Sequence, residues 1–149
     1  MRTTKVLSGV ALLFMLAGPL TAKTLESRAQ TIEKTQEFIT KAVAGDIQGA
    51  YRYLRPYLGV SAAPYDQSAE EAVTYFQQVT GKAGKPIGSS HVKTETIAND
   101  FTRETWLQKF EAAAIAWRFT FYQPDGNGWK LVGVSYSTDM SDLYQLSEQ

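Results

Sequence analysis

The chain has 149 residues, no cysteine, and equal numbers of acidic and basic residues, which give a formal net charge of zero. This balance excludes a strongly basic nucleic-acid-binding domain, and the absence of cysteine excludes disulfides as a source of stability. The hydrophobic content of 44% is enough for one packed core, so the composition predicts a single globular domain.

The first 22 residues have the pattern of a secretory signal peptide. Arg2 and Lys5 form a basic start, which is followed by an apolar run and then by small residues up to Ala22. The apolar run is much shorter than the ~20 residues that a membrane-spanning helix needs. We therefore predict a signal peptide over residues 1–22, periplasmic or secreted localisation, and a mature domain over residues 23–149 without membrane attachment.

Apolar residues at three- and four-residue steps predict three helices in the first half of the mature chain. The first should cover residues 24–44. The second should follow Asp46, a typical N-cap residue, and be shortened by Pro56. Ser68 and Glu71 have the spacing of a capping box, which predicts a third helix over about residues 69–80.

Two aromatic segments on either side of a Pro-Asp-Gly-Asn-Gly turn predict the central hairpin of an antiparallel sheet. If residues 124–127 form the loop, Phe119 faces Val132 and Trp117 faces Val134, so that one face is wholly apolar. Trp117 should then be a core residue. The predicted fold class is α+β, with about three N-terminal helices packed on a curved antiparallel sheet of four or so strands.

A further strand over residues 89–98 should join the strand that begins at Phe101 through a two-residue turn at Asn99 and Asp100. This register places Glu95 directly opposite Glu104, on the more polar face of the hairpin. Two close carboxylates raise the pKa of one of them, as a general acid requires.

The catalytic candidates are therefore Glu104, Glu95 and His91. The alternative for the carboxylates is a solvated charge cluster that includes Lys93. His91 is the only histidine, so a zinc site would need carboxylates or waters as its other ligands, and no metal site is predicted.

Aromatic residues on the helices and strands suggest a ligand pocket. Tyr51, Tyr75 and Trp106 are the candidate pocket residues, and the alternative is that such aromatic side chains simply fill the core.

The outer face of the predicted central hairpin combines apolar, small and charged residues. Arg118, Tyr122, Trp129 and Leu131 should lie together there and form an interface for a homodimer or a protein partner. The alternative is that the C-terminal tail folds back and covers this patch through apolar residues such as Leu143.

The sequence resembles the NTF2-like (cystatin-like) α+β superfamily. The resemblance is carried by Phe38, Gly45-Asp46, Ala50 and Leu54 early in the chain and by the segment Gly-Trp-Lys-Leu-Val at 128–132. It implies a cone in which the sheet wraps around the helices, a cavity at the mouth of the cone, and often a dimer through the outer sheet face. Members of the superfamily include isomerases and dehydratases with a carboxylate, Tyr or His inside the cone, and many members that catalyse nothing.

The sequence favours an exported, non-catalytic NTF2-like module that binds a small apolar ligand or a protein partner and needs no cofactor. The alternative is a cone-type lyase, isomerase or hydrolase that uses Glu104 or His91. An apolar cavity without ionisable groups would favour binding, whereas a buried carboxylate in the cavity would favour catalysis.

Overall fold

The computed structural model describes residues 22–147. In this part of the chain, helices precede an open four-stranded antiparallel sheet, so the predicted α+β class is confirmed. The helices are α1 (Arg28–Val43), α2 (Ile47–Leu54), which continues into the 3-10 turn Arg55–Tyr57, and α3 (Ala62–Ala83). The strands, which are also neighbours in this order, are β1 (Pro86–Ile97), β2 (Phe101–Phe110), β3 (Ala114–Tyr122) and β4 (Lys130–Ser137).

The predicted signal peptide, apart from Ala22, lies outside the described residues. Among those residues, no helix combines the length and the hydrophobicity needed to cross a bilayer.

The first two helices begin at polar caps. Ser27 caps α1 by accepting a hydrogen bond from the amide of Gln30, and Asp46 caps α2 through the amide of Gly49, as predicted. The first helix begins later than predicted because Leu25 is in extended backbone, where it exchanges two hydrogen bonds with Trp129.

The third helix begins well before the predicted residue 69. It includes Pro64 in its first turn, where the missing amide hydrogen costs nothing because no intrahelical acceptor lies there. Tyr65 anchors this turn, since its buried hydroxyl donates to the backbone oxygen of Tyr51. Ser68 consequently lies inside the helix, and the predicted capping box is wrong. Gly84, with φ of +86°, ends the helix.

The β1–β2 hairpin differs from the prediction by one residue. Its turn has three residues, 98–100, and Ala98 takes φ of +49°, in the left-handed region. Thr94 therefore faces Glu104, and Glu95 faces Arg103. A one-residue shift moves side chains to the opposite face of a strand. Glu104 and Trp106 accordingly point toward the helices and not toward the outer face.

The β3–β4 register is shifted by two residues, which preserves the predicted apolar face. Phe119 faces Val134, and Trp117 faces Tyr136. Near the turn, Val132 is an extra residue in β4, so that Leu131 faces Phe121. The loop is longer than predicted because the backbone of Trp129 pairs with Leu25 instead of with β3.

The core lies between the helices and the inner face of the sheet. Trp117 is fully buried at its centre, with its ring 4.9 Å from that of Phe38 on α1 and 4.9 Å from that of Phe76 on α3. The predicted role of Trp117 as a core residue is confirmed.

Trp117→Ala should lower the free energy of unfolding by about 3–5 kcal/mol, because it leaves a cavity that rigid aromatic neighbours cannot fill. Tyr144→Ala is the control: Tyr144 is 83% exposed, and its loss should change stability by no more than about 0.5 kcal/mol. Urea denaturation of both variants checks the assignment. Equal effects of the two substitutions would contradict it.

Candidate functional site

The inner face of β2 carries a row of buried polar side chains that face the helices. The row contains Thr102, Glu104 and Gln108, with Trp106 between the last two. Trp106 Nε1 donates to Thr35 Oγ1 of α1 at 2.9 Å. Burial of polar groups is costly unless they form hydrogen bonds, so each partner in this row matters for stability.

Glu104 is the carboxylate of the row and has no exposed side-chain surface. Its Oε2 accepts from Thr94 Oγ1 at 2.6 Å and lies 2.8 Å from His91 Nε2. Its Oε1 has no hydrogen-bond partner among the residues that the structure describes. The side chain of His91 is 33% exposed, and its ring centroid lies 4.7 Å from that of Trp106. One imidazole thus links a buried carboxylate to solvent, an arrangement that can hold or relay a proton.

Gln108 is fully engaged at the other end of the row. Its Oε1 accepts from Trp117 Nε1 at 2.9 Å, and its Nε2 donates to the backbone oxygen of Ala42 at 3.2 Å. Gln108 therefore ties the core tryptophan to the C-terminal turn of α1.

A groove of about 490 Å³ opens at the end of the sheet where β1 begins and β2 ends. Phe76 and Phe110 form its apolar floor, and Ile47 of α2 lies at its side. Gln77 and Thr80 of α3 add polar groups at the rim. Strand periodicity did not reveal these residues, because the groove is made by helix packing over the strand ends.

Among the described residues that line this groove, Asp46 is the only ionisable one. Its Oδ1 accepts from the Gly49 amide at 2.8 Å, because it is the N-cap of α2. Glu104 and His91 do not line the groove. The groove and the buried carboxylate are therefore separate features.

The structure brings together two of the three catalytic candidates, in a different pair from the one predicted. His91 contacts Glu104, whereas Glu95 lies on the outer face. There Glu95 binds Arg103 at 2.9 Å and Lys93 at 3.6 Å. The predicted Glu95–Glu104 pair is wrong because the three-residue turn moved these side chains to opposite faces of the hairpin.

The three predicted pocket residues do not share one cavity. Tyr51 lies in the core, where burial raises the pKa of its phenol far above the ordinary value. Tyr75 packs on Tyr136, with ring centroids 4.9 Å apart. Trp106 lies beside His91 at the other edge of the sheet. For Tyr51 and Trp106, the alternative of a core role is the one observed.

Two of the four predicted interface residues are on the wrong face. Trp129 and Leu131 are buried in the core, because the bulge at Val132 and the pairing of Trp129 with Leu25 turn them inward. Tyr122 does lie on the outer face, where its ring stacks on that of Phe101.

Arg118 also lies on the outer face, but a segment of the C-terminal tail contacts it. Its Nη2 donates to Asp142 Oδ1 at 2.8 Å, and Lys93 Nζ donates to the Asp142 backbone oxygen. Half-buried Met140 and Leu143 border an apolar hollow on this face. The tail thus covers part of the predicted patch, and a dimer through this face stays a prediction.

Within residues 22–147, no group of three or more His, Asp or Glu side chains has the geometry to hold a metal ion. No protein-family model matches the chain, and searches of curated proteins and of solved structures give no match.

His91→Ala should lower the free energy of unfolding by about 1–3 kcal/mol, because it removes a partner from a buried carboxylate. The same substitution in a Glu104→Gln background should cost less, since a neutral amide loses less when a partner is withdrawn. Urea denaturation of the four proteins measures the coupling.

Ser90→Ala is the control, because Ser90 faces Leu107 on the outer side of the hairpin. A coupling below about 0.5 kcal/mol would show that His91 and Glu104 do not interact energetically.

Proposed function

We propose that this chain is an exported, non-catalytic binding module of the NTF2-like type that takes a small apolar ligand in the groove. The observation that carries the proposal is the groove itself. Its floor is aromatic, through Phe76 and Phe110, and its only ionisable lining residue, Asp46, is occupied as a helix cap. A groove with an aromatic floor, a polar rim and one carboxylate that serves as a helix cap is better suited to binding than to proton transfer.

The dimensions and chemistry of the groove support a small ligand. Its volume of about 490 Å³ lies within the range of roughly 300–1,000 Å³ that is typical of small-molecule sites. The aromatic floor would bury the apolar part of the ligand. Gln48, Gln77 and Thr80 supply amide and hydroxyl groups that can orient a single polar substituent.

The assignment to the NTF2-like type rests on the order of elements and on the resemblance in sequence. Helices that precede an antiparallel meander are what that type requires. Bulges in β1 and β4 bend and twist strands, which is needed for a sheet to curve around helices. Export rests on the signal-peptide pattern of residues 1–22.

Neutral Nile red serves as a probe of the groove. Gln77→Trp should reduce its binding at least about tenfold, because the indole would occupy the groove. Gln78→Trp is a matched control, since Gln78 is the next residue of α3, is also exposed, and does not line the groove. Fluorescence titration measures both affinities, and thermal melting verifies folding. Equal affinities of the two variants would contradict the groove as the ligand site.

A second candidate function, a lyase, isomerase or hydrolase, is favoured by one observation. Glu104 is a buried carboxylate with an unpartnered oxygen and a histidine neighbour, and such carboxylates are typical of general acids and bases.

If the protein is such an enzyme, Glu104→Gln should reduce kcat by at least about 100-fold, because a proton-transfer group contributes that much or more. The Glu95→Gln variant is the control, since Glu95 is on the outer face. Assays with simple ester and 2-hydroxyacyl substrates provide the readout. An activity that Glu104→Gln leaves unchanged would rule out this residue as the catalytic group.

A further inference from the structure

A second cavity lies at the opposite end of the sheet from the groove, where β4 begins. Its volume is about 560 Å³. Its walls are the segment before α1, the 3-10 turn after α2, the start of α3 and the first residue of β4. The three charged residues in its lining are Lys23, Arg55 and Lys130, and all three are cations.

These cations differ in how far they are neutralised. Arg55 donates from both Nε and Nη2 to Asp66, each at 2.9 Å, so its guanidinium is occupied. Lys23 and Lys130 form no ion pair within the described part of the chain. The pKa of the Asp125 carboxyl is lowered mainly by hydrogen bonds from Asn127. The positive charge of Lys130 is the smallest of the causes of that shift. Neither lysine is therefore held in an ion pair within the described residues, and both ammonium groups are available to an anion.

The backbone fixes the position of Lys130. The amide of Gly59 donates to the backbone oxygen of Leu131 at 2.9 Å, and Leu58 and Leu131 form a parallel bridge. A Cβ on Gly59 would lie only 2.8 Å from Lys130 Cβ, so the aliphatic part of Lys130 lies directly over this glycine. This close packing restricts the conformations of the Lys130 side chain and therefore the positions of its ammonium group.

Two backbone features add positive character to the same walls. Ser61, the N-cap of α3, forms no side-chain cap, and the first turn of α3 contains no acid, so the amide end of a 22-residue helix is uncompensated there. The Lys23 amide nitrogen donates to the Pro56 backbone oxygen at 2.9 Å. Cleavage after Ala22 would convert this nitrogen into an α-ammonium group. That last step depends on the predicted processing, whereas the two lysine side chains do not.

We propose that this basic cavity binds a small phosphate monoester. The lysines act as compact point charges, which suit phosphate, while the planar fork of Arg55 that would hold a carboxylate in bidentate fashion is already taken by Asp66. The cavity exceeds the size of a phosphate group. Pro56, Leu58 and Val60 line the remaining space and would contact the organic part of the ester.

Phenyl phosphate and inorganic phosphate are the probes, and amide chemical shifts in NMR titrations are the readout. Phenyl phosphate should shift the amides of Lys130 and residues 59–62, and it should bind more tightly than inorganic phosphate. Lys130→Gln should weaken binding about tenfold, because one charge-assisted contact is lost. Lys82→Gln, at an exposed lysine in the last turn of α3, should have no effect.

Three outcomes would overturn the proposal: no shifts at these amides with millimolar phenyl phosphate, equal weakening by Lys130→Gln and Lys82→Gln, or equal affinity for inorganic phosphate and the ester. Equal weakening by the two variants would show a nonspecific ionic effect. Equal affinity for the two probes would show that the organic part of the ester makes no contact with the cavity. Because Nile red is uncharged, its binding to the groove is measured independently, and failure of one site leaves the other testable.

Discussion

Trp117 is the contact on which the rest of the fold depends. Its ring centroid lies within 4.9 Å of Phe38 on α1, 6.0 Å of Tyr51 on α2 and 4.9 Å of Phe76 on α3. Its Nε1 is fixed by Gln108 on the neighbouring strand. One side chain therefore sets the position of all three helices relative to the sheet. Since Phe76 and Gln108 also line the groove, the shape of the groove is determined by the same packing.

Glu104 and Gln108 of the polar row on β2 differ in how completely their side-chain polar atoms are hydrogen-bonded. At Gln108, donor and acceptor are both used inside the protein, so this end contributes rigidity and no reactivity. At Glu104, one oxygen is left without a partner, and His91 is the only described residue that connects it to solvent through a titratable group. A buried polar group whose hydrogen bonds are all formed serves the fold, whereas one with an atom left without a partner can serve a function. Binding and proton transfer, if both occur, would occupy different places in this molecule.

The sequence predicted the α+β class, the three helices and the core position of Trp117 because these depend on periodicity, which burial enforces directly. The prediction of strand pairing failed where a single residue in a turn or a bulge changed the register of a hairpin. Ala98 adopts a left-handed conformation that alanine seldom takes, and the three-residue turn that contains it shifts the register by one residue from the predicted pairing. Glu104 and Trp106 lie on the inner face, opposite to the prediction. The inward turn of Leu131 depends on the bulge at Val132 and on the pairing of Trp129 with Leu25, a contact across a hundred residues. The hydrophobic periodicity of a short segment cannot predict a contact between residues so far apart in the sequence. The groove was missed for a related reason, since it forms between elements.

The pairing of Leu25 with Trp129 and of Leu58 with Leu131 has a consequence for solubility. The two contacts lie at the start of β4 and just before it, so two distant segments occupy backbone groups of Trp129 and Leu131 with which another protein molecule could otherwise pair. At the opposite edge of the sheet, the bulge at Val92 and the charge of Lys93 interrupt β1 as a regular template for such pairing. The short segment before α1 thus removes the two backbone groups of Trp129 from possible edge-to-edge pairing with another molecule.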